Sequence, residues 1–140
     1  ESSQCLAIGD EIDAPPDTGL PFVWIGTNAD DDSYRSIQSG ETLAIQYGPQ
    51  GGEHVWGAAR LYTPGKGAWT LSFALTAADG SRLAATETYV DACAGQVAEL
   101  TSATVFLQQE GPATGVFSVE ATEAGHPEAT VHAEVPISIQ

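Results

Sequence analysis

The chain alternates apolar and polar residues most regularly near its centre. Trp69, Leu71, Phe73 and Leu75 are separated by Thr, Ser and Ala. A period of two residues is typical of a β-strand with one buried and one solvated face. We therefore expect residues 69–76 to form a strand that packs on a hydrophobic core.

Similar runs, separated by turn residues, continue along the chain and bring the total to about eight or nine predicted strands. Asp79-Gly80 is a strong hairpin signal between residues 69–76 and 82–90. Pro136 in the last predicted strand, residues 130–139, implies an edge or an N–H side that faces solvent. No segment shows a helical period. The pattern predicts one all-β domain over residues 1–140, an immunoglobulin-like or fibronectin-III-like sandwich, with a jelly roll as the alternative.

The organising stretch of the chain is residues 47–56, where a glycine-rich turn joins two predicted strands. The preceding segment, residues 42–47, places Leu43, Ile45 and Tyr47 on one face. The following segment, residues 53–62, places small and aliphatic residues on one face. Its other face carries ring-bearing and basic side chains: His54, Trp56, Arg60 and Tyr62.

This second face supports two interpretations. As a binding face, Trp56, Arg60 and Tyr62 would form an aromatic platform for a carbohydrate or a peptide. As a packing face, the same side chains would meet a second sheet or a neighbouring chain. The sequence favours packing, with Gly57 and Ala59 allowing the second sheet or a neighbouring chain to approach.

The net charge of the chain limits the classes of partner that it is expected to bind. Four Lys and Arg residues stand against 19 Asp and Glu residues, for a formal net charge of −15. Such a surface repels phosphate backbones and anionic lipid, so nucleic-acid binding is not expected. No apolar run reaches the length of a membrane span. The expected partners are a protein or polysaccharide at a surface, or other copies of the chain.

Cys5 and Cys93 are the two cysteines, and they match no zinc or haem motif. An even count in an acidic chain favours a disulfide and an oxidising compartment, the alternative being two free buried thiols. The chain contains no Met at all. We therefore expect a mature exported chain from which a signal peptide has been removed.

Two groups of residues could bind a metal. His54 and His132 with a nearby carboxylate would suit Cu or Zn if their strands were neighbours. Asp30 and Asp32 lie in an acidic loop whose closely spaced oxygens suit Ca²⁺, although the loop lacks the glycine and distal Glu of an EF-hand. The competing interpretations are separate surface histidines and a solvated acidic turn. No cofactor is required by any motif.

The sequence contains no G-x-S-x-G elbow and no phosphate-binding G-K-[ST] loop. We therefore expect a protein that is not an enzyme.

The segment Gly48-Pro49-Gln50-Gly51-Gly52-Glu53-His54 resembles a G-P-Q-G-G-x-H pattern of uncharacterised exported bacterial immunoglobulin-like β-sandwich proteins. The resemblance covers residues 39–60 and, more loosely, the later strands. It implies an exported immunoglobulin-like module and brings no activity or functional residues with it. The expected function is a structural or binding role at the cell surface or in extracellular assemblies, with self-assembly through strand pairing as a special case. The alternative is an extracellular metal-binding protein.

Overall fold

A computed structural model describes residues 3–9, 12–28, 32–48, 52–108 and 112–140 of the chain. The regular structure of these residues is entirely β, which confirms the predicted all-β class. Their eleven strands are β1 Ser3–Leu6, β2 Phe22–Asn28, β3 Tyr34–Ser36, β4 Glu41–Leu43, β5 Gln46–Tyr47, β6 Glu53–Thr63, β7 Gly67–Thr76, β8 Arg82–Ala92, β9 Gln96–Leu107, β10 Ala113–Glu123 and β11 His126–Ile139. No helix long and apolar enough to cross a membrane occurs in these segments.

The strands form one curled, mixed sheet in the order β3-β2-β6-β9-β8-β7-β10-β11-β4, with β1 added to β9 and β5 added to β6. The β11–β4 pair is parallel, and the other strand pairs are antiparallel. Although β2 and β11 are far apart in this order, β2 lies against both β10 and β11. The sheet therefore curls over so that its two halves share one apolar interior.

Strand β9 joins the two halves. It pairs with β6 along most of its length, but it meets β8 only where Ala84 and Ala85 face Leu107 and Phe106. The partner of β6 changes from Ala103 at Gly57 to Leu100 at Ala59, so β9 carries one extra residue there. Such a bulge bends a strand and increases its twist.

The interior is built from alternating residues, as the sequence pattern predicts. Trp69, Leu71, Phe73 and Leu75 of β7 are all buried. On the opposite half of the sheet, Gly57 leaves room for this layer, because a Cβ there would lie 3.0–3.1 Å from the Phe73 ring. A glycine at this position lets the two halves approach closely.

The predicted strand over residues 42–47 is two short strands in the structure. β4 pairs with β11, whereas β5 pairs with β6, so each piece extends a different half of the sheet. Leu43 and Ile45 are buried as expected, but Tyr47 is 74% exposed. The prediction of a common face was wrong for Tyr47, because the strand breaks between the two pieces. After β5, Gly48 N–H donates a hydrogen bond to Gly52 O at 2.8 Å.

The predicted disulfide is present. Cys5 on β1 is bonded to Cys93, which follows β8, across 88 residues of sequence. β1 also pairs with the first half of β9, residues 97–100. The bond therefore connects the two halves of the sheet at the end where β8 and β9 have separated.

Pro136 does not lie on the outermost strand expected for it, because β11 is flanked by β10 and β4. Its carbonyl accepts a hydrogen bond from Gly40 N–H, and Gln140 N–H bonds to Leu43 O, on the same side of β11. N–H and C=O groups of one residue point to the same side of a strand, so even-numbered residues of β11 point away from β10. The missing N–H of Pro136 therefore removes no bond from the β10–β11 ladder.

Candidate functional site

The outer face of β2, β6 and β9, opposite the main core, brings the predicted binding face together with residues from neighbouring strands. Register places Trp24 opposite Arg60 and Arg60 opposite Glu99. One step along, Phe22 lies opposite Tyr62. Phe22 and Trp24 contact each other edge to face, with ring centroids 4.7 Å apart.

Tyr62 belongs to the covered part of this face. It is buried in a second, smaller apolar cluster with Ile12 and Val97. Its hydroxyl donates a hydrogen bond to Thr18 O at 2.8 Å. The segment before β2 thus lies over Tyr62, which serves packing rather than contact with a ligand.

Arg60 forms the polar centre of the outer face. Its Nε donates to Glu99 Oε2 at 2.7 Å, and the Glu99 side chain is only 6% exposed. Gln4 Nε2 donates to the other carboxylate oxygen at 3.4 Å. A buried carboxylate is costly unless it is paired. Arg60 therefore stabilises the fold by pairing with the buried Glu99 carboxylate, and it also places a guanidinium group on this face.

Tyr34 supports the guanidinium of Arg60. The Arg60 Cζ lies 4.2 Å from the centroid of the Tyr34 ring, a cation–π arrangement. The Tyr34 hydroxyl donates to Ile25 O at 3.2 Å, and burial raises the pKa of this phenol. Its ring covers Gly26 so closely that a Cβ there would lie 2.5 Å from Tyr34 Cε2. The absence of a side chain at Gly26 thus lets the Tyr34 ring pack against β2, where Arg60 stacks on it.

Beside this stack the surface opens into a recess of about 80 Å³, here called the Arg60 recess. It is lined by Ile12, Asp13, Trp24, Tyr34, Ser36 and Arg60. The terminal nitrogens of Arg60 form no hydrogen bond with the described residues, and they are not sealed from solvent. The recess therefore combines free N–H donors, a carboxylate and two aromatic rings.

The other end of β6 carries a second group of rings, here called the three-ring cluster: His54, Trp56 and Phe106. The His54 and Trp56 centroids are 4.7 Å apart, and His54 and Phe106 are 6.4 Å apart, both edge to face. Phe106 is 57% exposed. The carbonyl of Trp56 accepts a hydrogen bond from Thr27 Oγ1 at 2.7 Å, which fixes the backbone beneath the rings.

The surroundings of His54 favour its neutral form. Burial among the neighbouring rings lowers the pKa of its imidazole. Its Nε2 is the one buried side-chain polar atom of the described residues that has no hydrogen-bond partner. An imidazole in this setting contributes an aromatic surface rather than a charge.

The residues predicted to bind metal lie in different surroundings. His54 is in the three-ring cluster, whereas His132 is on β11, opposite Glu120 and 2.7 Å from Glu134 Oε1. Asp32 is exposed with a φ of 63°, and Asp30 lies outside the described residues. Within the described segments, no group of three His, Cys, Asp or Glu side chains could hold a metal ion. The Cu, Zn and Ca predictions stay predictions.

Sequence reasoning missed Trp24, Tyr34, Glu99 and Phe106 as members of this face. All four residues lie on strands other than β6. Only the pairing of β2, β3 and β9 brings them onto this face. The alternation of Phe22 and Trp24 about Val23 was a usable signal for an outward-facing ring pair.

Comparison of the chain with protein-family models and with curated protein sequences finds no match. The resemblance carried by residues 48–54 therefore stays a prediction.

Proposed function

We propose that the chain is an exported, non-enzymatic module with an immunoglobulin-like sandwich fold that binds an uncharged polysaccharide through the outer face of β6. The observation that carries this proposal is the line formed by the Arg60 recess and the three-ring cluster along one strand. His54 and Arg60 are six residues apart, or about 20 Å in an extended strand. A line of this length suits several units of a polymer.

The chemistry of the face favours a sugar polymer over a protein. Sugars present apolar C–H faces that pack on rings and hydroxyl groups that need polar partners, and amphipathic aromatic side chains serve both. A stable protein partner would need roughly 800 Å² of surface on each side, most of it well packed. Here the rings are few and alternate with polar groups. The net charge of −15 further disfavours acidic polysaccharides.

The export part of the proposal is supported by the disulfide, because such bonds persist in oxidising compartments. The sandwich part is supported by the shared interior of the two halves of the sheet and by the resemblance of residues 48–54 to exported modules.

Affinity electrophoresis through gels that contain hydroxyethylcellulose or glycol chitin tests the binding face. We expect the native protein to be retarded by at least one of them, and Trp56→Ala and Phe106→Ala to migrate freely. Tyr89→Ala is the matched control, because Tyr89 is a 72% exposed ring on β8. Equal retardation of the native protein and Trp56→Ala would contradict the proposal.

A second candidate function is self-association through an open strand edge. Even-numbered residues of β11 point their backbone groups away from β10, and β4 covers this side only at Ile137–Ile139. No described strand pairs with the stretch of β11 that holds Thr130, His132 and Glu134 on that side. Unpaired edges of this kind accept a strand from a second copy.

Light scattering after size-exclusion chromatography, in low and high salt, tests this second candidate. If copies pair through β11, His132→Pro should give a monomer, because it removes an outward N–H without removing a β10 bond. Glu128→Ala is the control, because it changes an exposed side chain near this edge and keeps the backbone N–H. A native protein that stays monomeric at high concentration would rule the association out.

A further inference from the structure

We propose that the Arg60 recess receives the acetamido group of an N-acetylated amino sugar, which makes the polysaccharide one of N-acetylated units. This inference rests on the proposed function and specifies its ligand.

Size limits the occupant to a substituent. A volume of about 80 Å³ corresponds to between two and three water molecules at liquid density. A complete sugar ring would not enter such a space, whereas an acetamido group has only four heavy atoms. The ring of the sugar would stay outside, against the exposed part of the face.

Charge disfavours ionised substituents. A carboxylate or sulfate would meet Arg60, whose charge Glu99 already balances, and would face Asp13 in a protein of net charge −15. An ammonium group would lie beside the guanidinium of Arg60. An uncharged group avoids both repulsions.

Hydrogen bonding then selects among uncharged groups. The terminal N–H groups of Arg60 require an acceptor, and the Asp13 carboxylate requires a donor. A hydrocarbon group would displace water from the Arg60 nitrogens without replacing the lost hydrogen bonds, which is costly. An amide offers a carbonyl to Arg60 and an N–H to Asp13.

The apolar lining favours an amide that ends in a methyl group. Ile12 is buried at the recess, and the Trp24 and Tyr34 rings form further walls. The methyl of an acetamido group can pack there while its amide meets the polar side. A primary amide of an Asn or Gln side chain has the same polar groups but lacks this methyl, so a peptide fits less completely.

Isothermal titration calorimetry with tri-N-acetylchitotriose and cellotriose tests the inference, because the two differ only in the acetamido group. We expect the native protein to bind the chitotriose at least about tenfold more tightly, because only its acetamido group can pair with both Arg60 and Asp13. Asp13→Ala and Arg60→Lys should remove this preference. Arg60→Lys keeps a positive charge opposite Glu99, and thermal unfolding of both variants verifies that they are folded.

Tyr89→Ala should keep the full preference, since that ring lies on β8. Equal binding of the two trisaccharides, or a preference that survives in both recess variants, would overturn the acetamido assignment and leave polysaccharide binding intact. Binding of an Asn- and Gln-rich peptide with no binding of either trisaccharide would assign the recess to a peptide instead. Failure to bind any sugar, including the gel polysaccharides, would overturn the proposed function as well.

Discussion

The protonation of His54 is linked to stability. Burial lowers the pKa of this imidazole in the folded chain, whereas in the unfolded chain its pKa has the ordinary value of about 6.5. Above that pH both states are neutral and the group has no effect on stability. Below it the unfolded chain binds more protons, so the free energy of unfolding falls as the pH decreases.

We therefore expect His54→Gln to change the pH dependence of unfolding. Between pH 8 and pH 5 the native protein should lose more stability than the variant, because Gln cannot be protonated. Urea unfolding at both pH values measures the difference. Parallel loss of stability in both proteins would show that His54 is not protonated preferentially in the unfolded chain.

Gly26 is the second residue with a testable role. In Gly26→Ala the new Cβ would lie 2.6 Å from Arg35 O, a backbone atom, as well as against the Tyr34 ring. We expect a loss of about 1–3 kcal/mol in the free energy of unfolding, typical of overpacking. Gly65→Ala is the control, since no atom lies within 4 Å of its Cβ position. Equal urea midpoints for the two variants would refute the role of Gly26.

At this scale the sequence predicted side chains but not their partners. That His54, Trp56 and Arg60 share one face follows from alternation alone, but the sequence favoured a packing face, whereas the structure places them on the outer face of β6. The pairing of Arg60 with Glu99 does not follow from alternation, because a one-residue change in the β6–β9 register would place the carboxylate on the other face. The bulge in β9 sets that register, and no turn residue in the sequence marks it.

At the scale of strands, β1 depends on its covalent bond. A four-residue strand at the end of a sheet contributes few ladder bonds, whereas the disulfide restricts a loop of 88 residues in the unfolded chain. In the chain-entropy model, a disulfide that closes such a loop raises the free energy of unfolding by roughly 4–5 kcal/mol.

We expect the double variant Cys5→Ser, Cys93→Ser to lose about that free energy of unfolding, measured by urea denaturation. Dithiothreitol should lower the midpoint of the native protein toward that of the variant and leave the variant itself unchanged. A native midpoint that does not respond to complete reduction would contradict this estimate.

Predictability also varied among the strands. Long segments with strict alternation, such as β7, were predicted because every second residue faces one interior. The split of residues 42–47 into β4 and β5 was not, since it depends on which half of the sheet each piece joins. Sequence alternation reports a face but not a partner strand.

For the whole molecule, charge opposes compaction. A net charge of −15 on 140 residues makes the folded state repel itself, and salt screens that repulsion. We expect the thermal midpoint to rise between 10 mM and 500 mM NaCl at pH 7.5. The rise should be smaller near pH 4, where about half of the carboxyl groups are protonated. A midpoint that falls with salt at pH 7.5 would show that specific ion pairs outweigh the net repulsion.

The Cys5–Cys93 bond also determines how the protein would carry a mechanical load. Force applied between the two ends of the chain would pass from Cys5 directly to Cys93, so the intervening residues would bear no tension. Full extension would then reach only about 180 Å, against roughly 490 Å for the reduced chain, at about 3.5 Å for each residue. Strands β2 to β8, which include β6, all lie inside the shielded loop, whereas Glu99 and Phe106 lie on β9 outside it. A tethered molecule could thus be stretched while β6, the central strand of the proposed binding face, stays out of the line of pull.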